Sequence, residues 1–98
     1  MSTIFKVTGY CPYKIFTGKS SDVTASGKMP KANHTIAAPS KYPFGTRIVL
    51  DGYGTFYVED RGGAIKNNRL DRYFDTHQEA LNLGKKLVLL LSILVRYN

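Results

Sequence analysis

The 98-residue chain has no tryptophan, one cysteine and two histidines, and only seven acidic residues stand against fourteen lysines and arginines. A lone Cys11 excludes an internal disulfide framework. With His34 and His77 as the only imidazoles, a structural zinc site would have to be completed by carboxylates, so neither a metal nor a cofactor is expected. Long hydrophobic runs are also missing. The most apolar stretch, Leu87 to Val95, spans nine residues, whereas a membrane-crossing helix needs about 20; it reads as a buried strand. Met1 to Lys6 lack the basic-then-apolar order of a secretory signal. A chain this short divided in two would leave neither part a core, which points to one domain over residues 1–98; a monomer is expected.

The shortage of acid leaves a formal net charge of +7, so an anionic partner is the first expectation. The imbalance is uneven. Residues 1–50 hold seven basic residues and one acidic one, while residues 51–98 hold seven basic and six acidic: Asp51, Glu59, Asp60, Asp71, Asp75 and Glu79. Lys14, Lys19, Lys28, Lys31 and Lys41 are interleaved with Tyr10, Tyr13, Phe16 and Tyr42, a mixture that suits nucleic acid, sugar rings or an anionic polymer. No nucleic-acid motif accompanies it.

Along the chain, Thr3 to Tyr10 is rich in β-branched and aromatic residues and reads as a first strand. From Pro12 to Asn33 small and polar residues predominate, predicting loops around a short strand at Val23-Thr24-Ala25. Thr35 to Ala38 reads as a brief buried strand ended by Pro39. Asp51-Gly52 separates the strands Thr46–Leu50 and Thr55–Glu59 as a hairpin turn. Leu70 to Asp75 alternates, with Leu70, Arg72 and Phe74 on one face and Asp71, Tyr73 and Asp75 on the other. Thr76-His77-Gln78-Glu79 fits a capping box, and Gly84 a C-terminal cap, so a helix of about two turns is expected at residues 77–83, with Lys85 and Lys86 at its cation-favouring end. Five to seven strands, one helix and no βαβ rhythm favour a small β-barrel.

Asp60 and Asp71 stand where apolar strands meet glycine- or asparagine-rich turns, the places where a rigid scaffold presents groups to a ligand. The structural alternative is an Asx-type turn, Asp60 accepting from the Gly62 and Gly63 amides. A carboxyl buried against Tyr57, Tyr73 or Phe74 would hold its proton by desolvation and serve as a general acid; Arg61, Lys66, Arg69 and Arg72 would oppose this. Gly62-Gly63 gives the backbone freedom and room for close ligand approach. Cys11 has no histidine or base near it in the sequence, which argues against a catalytic thiol.

Taken together, Val7-Thr8-Gly9-Tyr10-Cys11-Pro12, Thr24-Ala25-Ser26-Gly27, Ile36-Ala37-Ala38 leading to Pro43-Phe44-Gly45-Thr46, and above all the block from Val58 through Asp60-Arg61-Gly62-Gly63 and Leu70-Asp71-Arg72-Tyr73-Phe74-Asp75 to Leu81 resemble the 3D domain, a family named for its aspartates and found in bacterial and phage cell-wall proteins. The resemblance runs over roughly residues 5–86. It implies a small, mainly β fold: a six-stranded double-psi β-barrel with one short helix, shared with MltA-type lytic transglycosylases and stationary-phase-survival proteins. It also implies a lytic transglycosylase acting on peptidoglycan, outside the cell or associated with the wall, with Asp71 as general acid/base and Asp60 orienting or tuning the site. Thr8, Tyr10, Thr24, Gly62, Gly63 and Lys66 fall at positions expected to line the groove. The chain departs from the family pattern in lacking an aspartate at Ala38-Pro39, in carrying Arg61 and Asn67 where Thr and Gly are commoner, and in its leucine-rich tail. The alternatives are a non-catalytic glycan-binding module on the same barrel and, more distantly, a nucleic-acid-binding barrel.

Overall fold

The structure, a computed structural model, describes residues 3–11 and 23–95. Lys14, Lys19, Tyr13 and Phe16 of the basic-aromatic stretch lie outside the described residues. Six strands, β1 (Thr3–Tyr10), β2 (Thr35–Ala37), β3 (Arg47–Leu50), β4 (Gly54–Asp60), β5 (Arg69–Tyr73) and β6 (Lys85–Leu94), are joined by one helix among the described residues, α1 (His77–Leu83). The strands close on themselves in the order β1-β5-β2-β4-β3-β6. β1–β5 and β2–β4 pair in parallel, and the remaining neighbours are antiparallel. Each parallel pair joins strands distant in sequence, so the chain must cross over the barrel ends twice, as in the expected double-psi barrel.

Alternation along the strands fills the interior. Phe5, Val7, Ile36, Ala38, Ile48, Leu50, Phe56, Val58, Leu70 and Val88 form one buried cluster, and each large side chain in it contributes roughly 1.5–3 kcal/mol of transfer free energy. The β3–β4 hairpin turns through Asp51-Gly52-Tyr53, with Gly52 at φ 80°, a left-handed conformation that glycine adopts without steric cost. The helix begins and ends at the predicted residues. The Thr76 hydroxyl accepts from the Glu79 amide at 3.2 Å, and Gly84, at φ 62°, returns its amide to the Ala80 carbonyl. The capping box differs in one bond, because Thr76 Oγ1 donates to Glu79 Oε1 at 2.8 Å. Lys85 and Lys86 open β6 directly after the cap.

Two expectations are corrected. Residues 23–28 form no strand: the Gly27 amide donates to the Thr24 carbonyl and the Thr24 amide to the Lys28 carbonyl, a local turn that uses the donors a strand would have spent on a neighbour. The C-terminal run is a strand but is not buried. Val88 faces the core, whereas Leu87, Leu91, Leu94 and Val95 are exposed, because a strand closing a barrel has one face on the interior and one on solvent.

Candidate active site

Barrel closure brings Asp60 and Asp71 to the two sides of one residue. Ala37 on β2 pairs with Asp71 on β5 and with Asp60 on β4. The second pairing depends on a bulge: Ile36 aligns with Val58, but Ala37 aligns with Asp60, which leaves Glu59 as an extra residue. Bulges of this kind re-aim side chains beside functional sites. Here Glu59 turns to Thr35, whose hydroxyl donates to Oε1 at 2.6 Å, and to His34, whose Nε2 lies 3.3 Å from Oε2.

The environments of the two aspartates differ. Asp60 is 2% exposed and accepts three bonds at 2.9 Å: from the Tyr10 hydroxyl to Oδ2, and from the Ala25 and Arg61 amides to Oδ1. The Arg61 amide is the local turn partner, one residue nearer than the glycines, and the Ala25 amide arrives from the 24–28 turn. Burial, reinforced by the charge of Asp60, drives the Tyr10 phenol well above its ordinary range and keeps it a donor. Its ring meets Tyr73 edge-on at 5.5 Å. Asp71 is only partly buried, opposite Thr8 in the parallel β1–β5 register, and accepts from the Thr8 hydroxyl at 3.1 Å. Desolvation raises its pKa above the ordinary carboxylate value, and the nearby Asp60 charge adds to this. The Thr8 hydrogen bond and Arg69 act in the opposite direction.

Thr8 and Tyr10 therefore touch the aspartates directly. Thr24 does so through its neighbour: its own hydroxyl donates to the Lys28 carbonyl at 2.7 Å and shapes the turn that presents the Ala25 amide. Gly62, Gly63 and Lys66 line a different but adjoining hollow of about 440 Å³, with Ser40, Arg61 and Ile65. Neither glycine has a positive φ. A Cβ on Gly63 would meet nothing within 4 Å, whereas one on Gly62 would stand 3.1 Å from Ile65 Cγ1. The left-handed residue of this loop is Asn67, at φ 56°, a conformation asparagine tolerates better than most residues. Asp75 is exposed ahead of α1, away from the pair.

Arg61 turns inward. Its guanidinium donates to the carbonyls of Tyr42 at 2.5 Å, Asp60 at 3.2 Å and Ala38 at 3.4 Å, and its carbon lies 4.2 Å from the centre of the Phe44 ring. Desolvation lowers its pKa, against the pull of Asp60. Arg61 thus ties the 38–42 segment to the strand end that carries Asp60. Arg72 bonds Asn33 Oδ1 at 2.6 Å and lies over the rings of Phe56 and Phe74.

Sequence reasoning missed the Ala25 amide, which carries no side-chain signal. It also missed the Glu59–His34 pair, created by the bulge. Cys11 has no histidine near it in the sequence, but the fold brings His77 Nδ1 to 3.5 Å from its buried Sγ. Sixty-six residues separate the two, and only the packing of α1 against β1 joins them.

The model of the 3D domain matches residues 34–93. The chain belongs to the 3D domain family. This 3D domain is 36% identical over 80 residues to the cell wall-binding protein YocH of Bacillus subtilis (strain 168), covering 78% of this chain and 28% of that protein. It is 34% identical over 59 residues to the putative cell wall shaping protein YabE of the same organism, covering 60% of this chain and 14% of that protein. The chain spans less than a third of the length of either relative.

Proposed function

We propose that this 3D domain acts on the peptidoglycan of the bacterial cell wall as a lytic transglycosylase. The observation that carries the reading is the unlike state of two neighbouring aspartates. Asp60 is buried and held by three donors, while Asp71 is partly accessible, bonded by one hydroxyl and biased by burial toward its protonated form. Pairs of carboxyl groups whose surroundings separate their roles are a recurrent form of acid–base site. The cell-wall names of YocH and YabE supply the substrate class.

In this reading Asp71 donates its proton to the glycosidic oxygen between N-acetylmuramic acid and N-acetylglucosamine as the C1–O bond breaks. The resulting carboxylate then takes the proton of the muramic acid's own C6 hydroxyl, whose oxygen closes on C1 to leave a 1,6-anhydro end. The proton count balances, water is not consumed, and no second protein nucleophile is needed, unlike the paired carboxylates of a hydrolase. Asp60 is a positioning residue: its charge biases Asp71, and Tyr10 and the Ala25 amide hold it in place. Thr8 orients Asp71, Thr24 shapes the supporting turn, and Gly62, Gly63 and Lys66 line the adjoining hollow where the polymer continues. Wall association of this domain follows from the same reading.

The second reading, a peptidoglycan-binding module without turnover, is favoured by the binding function in YocH's name and by the absence of an aspartate at Ala38-Pro39. Incubation with purified peptidoglycan, followed by mass spectrometry of the soluble fraction, separates the two. Muropeptides lighter by one water than hydrolysis products, absent with Asp71→Asn, support the enzyme. Retention on the polymer without release supports the module.

A further inference from the structure

The outer face of β6 is apolar to a degree the fold does not require. Val88 already seals the interior from this strand, yet Leu87 is 77% exposed and Leu91 56%. Leu91 is the residue left over at the bulge between the Val49–Ser92 and Leu50–Leu90 pairs. On the neighbouring strand Ile4, 46% exposed, stands opposite Leu89, and Leu94 closes the stripe opposite Arg47 on β3. Contiguous apolar surface of this kind marks a contact surface rather than chance exposure.

Charge identifies what it meets. The three consecutive strands β3, β6 and β1 contain no acidic residue, but carry Arg47, Lys85, Lys86 and Lys6. Lys6 stands directly opposite Leu87 and Lys85 lies two residues before it on the same face, so two lysines flank the most exposed leucine, with the exposed Lys86 between them in sequence. Two acids adjoin this surface: Asp51, in the turn after β3, whose amide bonds the Leu89 carbonyl, and Asp71, which accepts from Thr8 on β1. A second copy of the chain would set lysines against lysines, and juxtaposed like charges oppose association. An anionic bilayer answers both features, since leucine and isoleucine side chains enter the acyl boundary while lysines stay with the headgroups.

We propose that the β6–β1 face is a peripheral membrane-docking surface for anionic lipid. β2, which lies between the strands bearing Asp60 and Asp71, is three strands from β6 in either direction round the barrel. Docking through β6 therefore leaves β2 facing away from the lipid, while Asp71, which accepts from Thr8 of β1, lies at the edge of the docking face. The chain is not held to span the membrane; no helix among the described residues is long and apolar enough to cross one.

The test is co-sedimentation of the whole chain with vesicles of phosphatidylcholine alone or of phosphatidylcholine with phosphatidylglycerol. Binding to the anionic vesicles, weakened by salt, is expected. Leu87→Ser with Leu91→Ser is expected to lower the affinity on the order of a hundredfold, and Lys85→Gln with Lys86→Gln about thirtyfold, with the thermal transitions unchanged because these side chains project outward. Failure to bind anionic vesicles overturns the proposal. So does binding that survives the double leucine replacement, which would indicate attraction to polyanions in general, or a concentration-dependent dimer that the leucine replacements abolish in a chain that ignores lipid. Because the readout is lipid binding, the result is independent of whether Asp71 cleaves glycan.

Discussion

Replacing Tyr10 with phenylalanine removes one oxygen and leaves the ring in place against Tyr73. That oxygen donates to Asp60 Oδ2 at 2.9 Å, and Asp60 is 2% exposed, so water has little access to take over the bond. A hydrogen bond to a charged partner contributes roughly 1.5–3 kcal/mol. For a domain of this size each kcal/mol moves the melting midpoint by about 4–8 °C, so Tyr10→Phe should melt roughly 10 °C lower at neutral pH. The double-mutant cycle with Asp60→Asn isolates the pair and should show a coupling of about 1–2 kcal/mol. Peptidoglycan release should fall as well, because Asp60 loses one of the groups that fix it beside Asp71. A midpoint within a degree or two of the parent, or strictly additive single replacements, would refute the claim that this bond holds the site together.

Asp71→Asn tests the acid. Burial raises the folded pKa of Asp71 above its unfolded value, so its contribution to stability is fully present below the ordinary carboxylate range and is lost as pH rises through the raised folded value. An asparagine cannot ionise, so the variant's melting advantage should grow from little in acid to a plateau near neutrality while anhydro-muropeptide release disappears; a variant less stable at neutral than at acidic pH, relative to the parent, contradicts the assignment. Gly9→Ala should cost about 1–3 kcal/mol, since its Cβ would stand 2.8 Å from Phe74 Cε2 and 3.1 Å from the Ala80 Cα; an unchanged denaturant midpoint would show that α1 yields freely. Arg61→Lys should cost roughly 2 kcal/mol in chemical denaturation, because an ammonium cannot reproduce the fork that reaches the Tyr42, Asp60 and Ala38 carbonyls. Equal stability would mean that the fork does not brace the loop.

Helix α1 was legible because its signals are local: the Thr76 cap, the Gly84 terminator and the residues between them act within a few positions of one another. The β3–β4 hairpin was legible for the same reason. The outward face of β6 was not, because a run of leucines carries no alternation to separate an inner face from an outer one, and solvent exposure there follows from which strands flank it. The turn at residues 23–28 resembled a strand in composition, but its backbone donors go to carbonyls within the turn, to the Glu59 carbonyl and to the Asp60 carboxylate.

The sequence by itself determined the strand-rich class, the short helix and the pair of aspartates at strand ends, since periodicity, caps and turn residues act over short distances. It also carried enough of the family's pattern to identify the barrel. What each aspartate can do was decided by tertiary structure alone. Asp60 and Asp71 flank Ala37 only because β2 lies between β4 and β5. Burial and hydrogen-bond donors, which set proton affinity, come from residues as far away as Tyr10 and Ala25. The bulge that assigns Asp60 to Ala37 and Glu59 to Thr35 is likewise a property of strand pairing, invisible until the two strands meet.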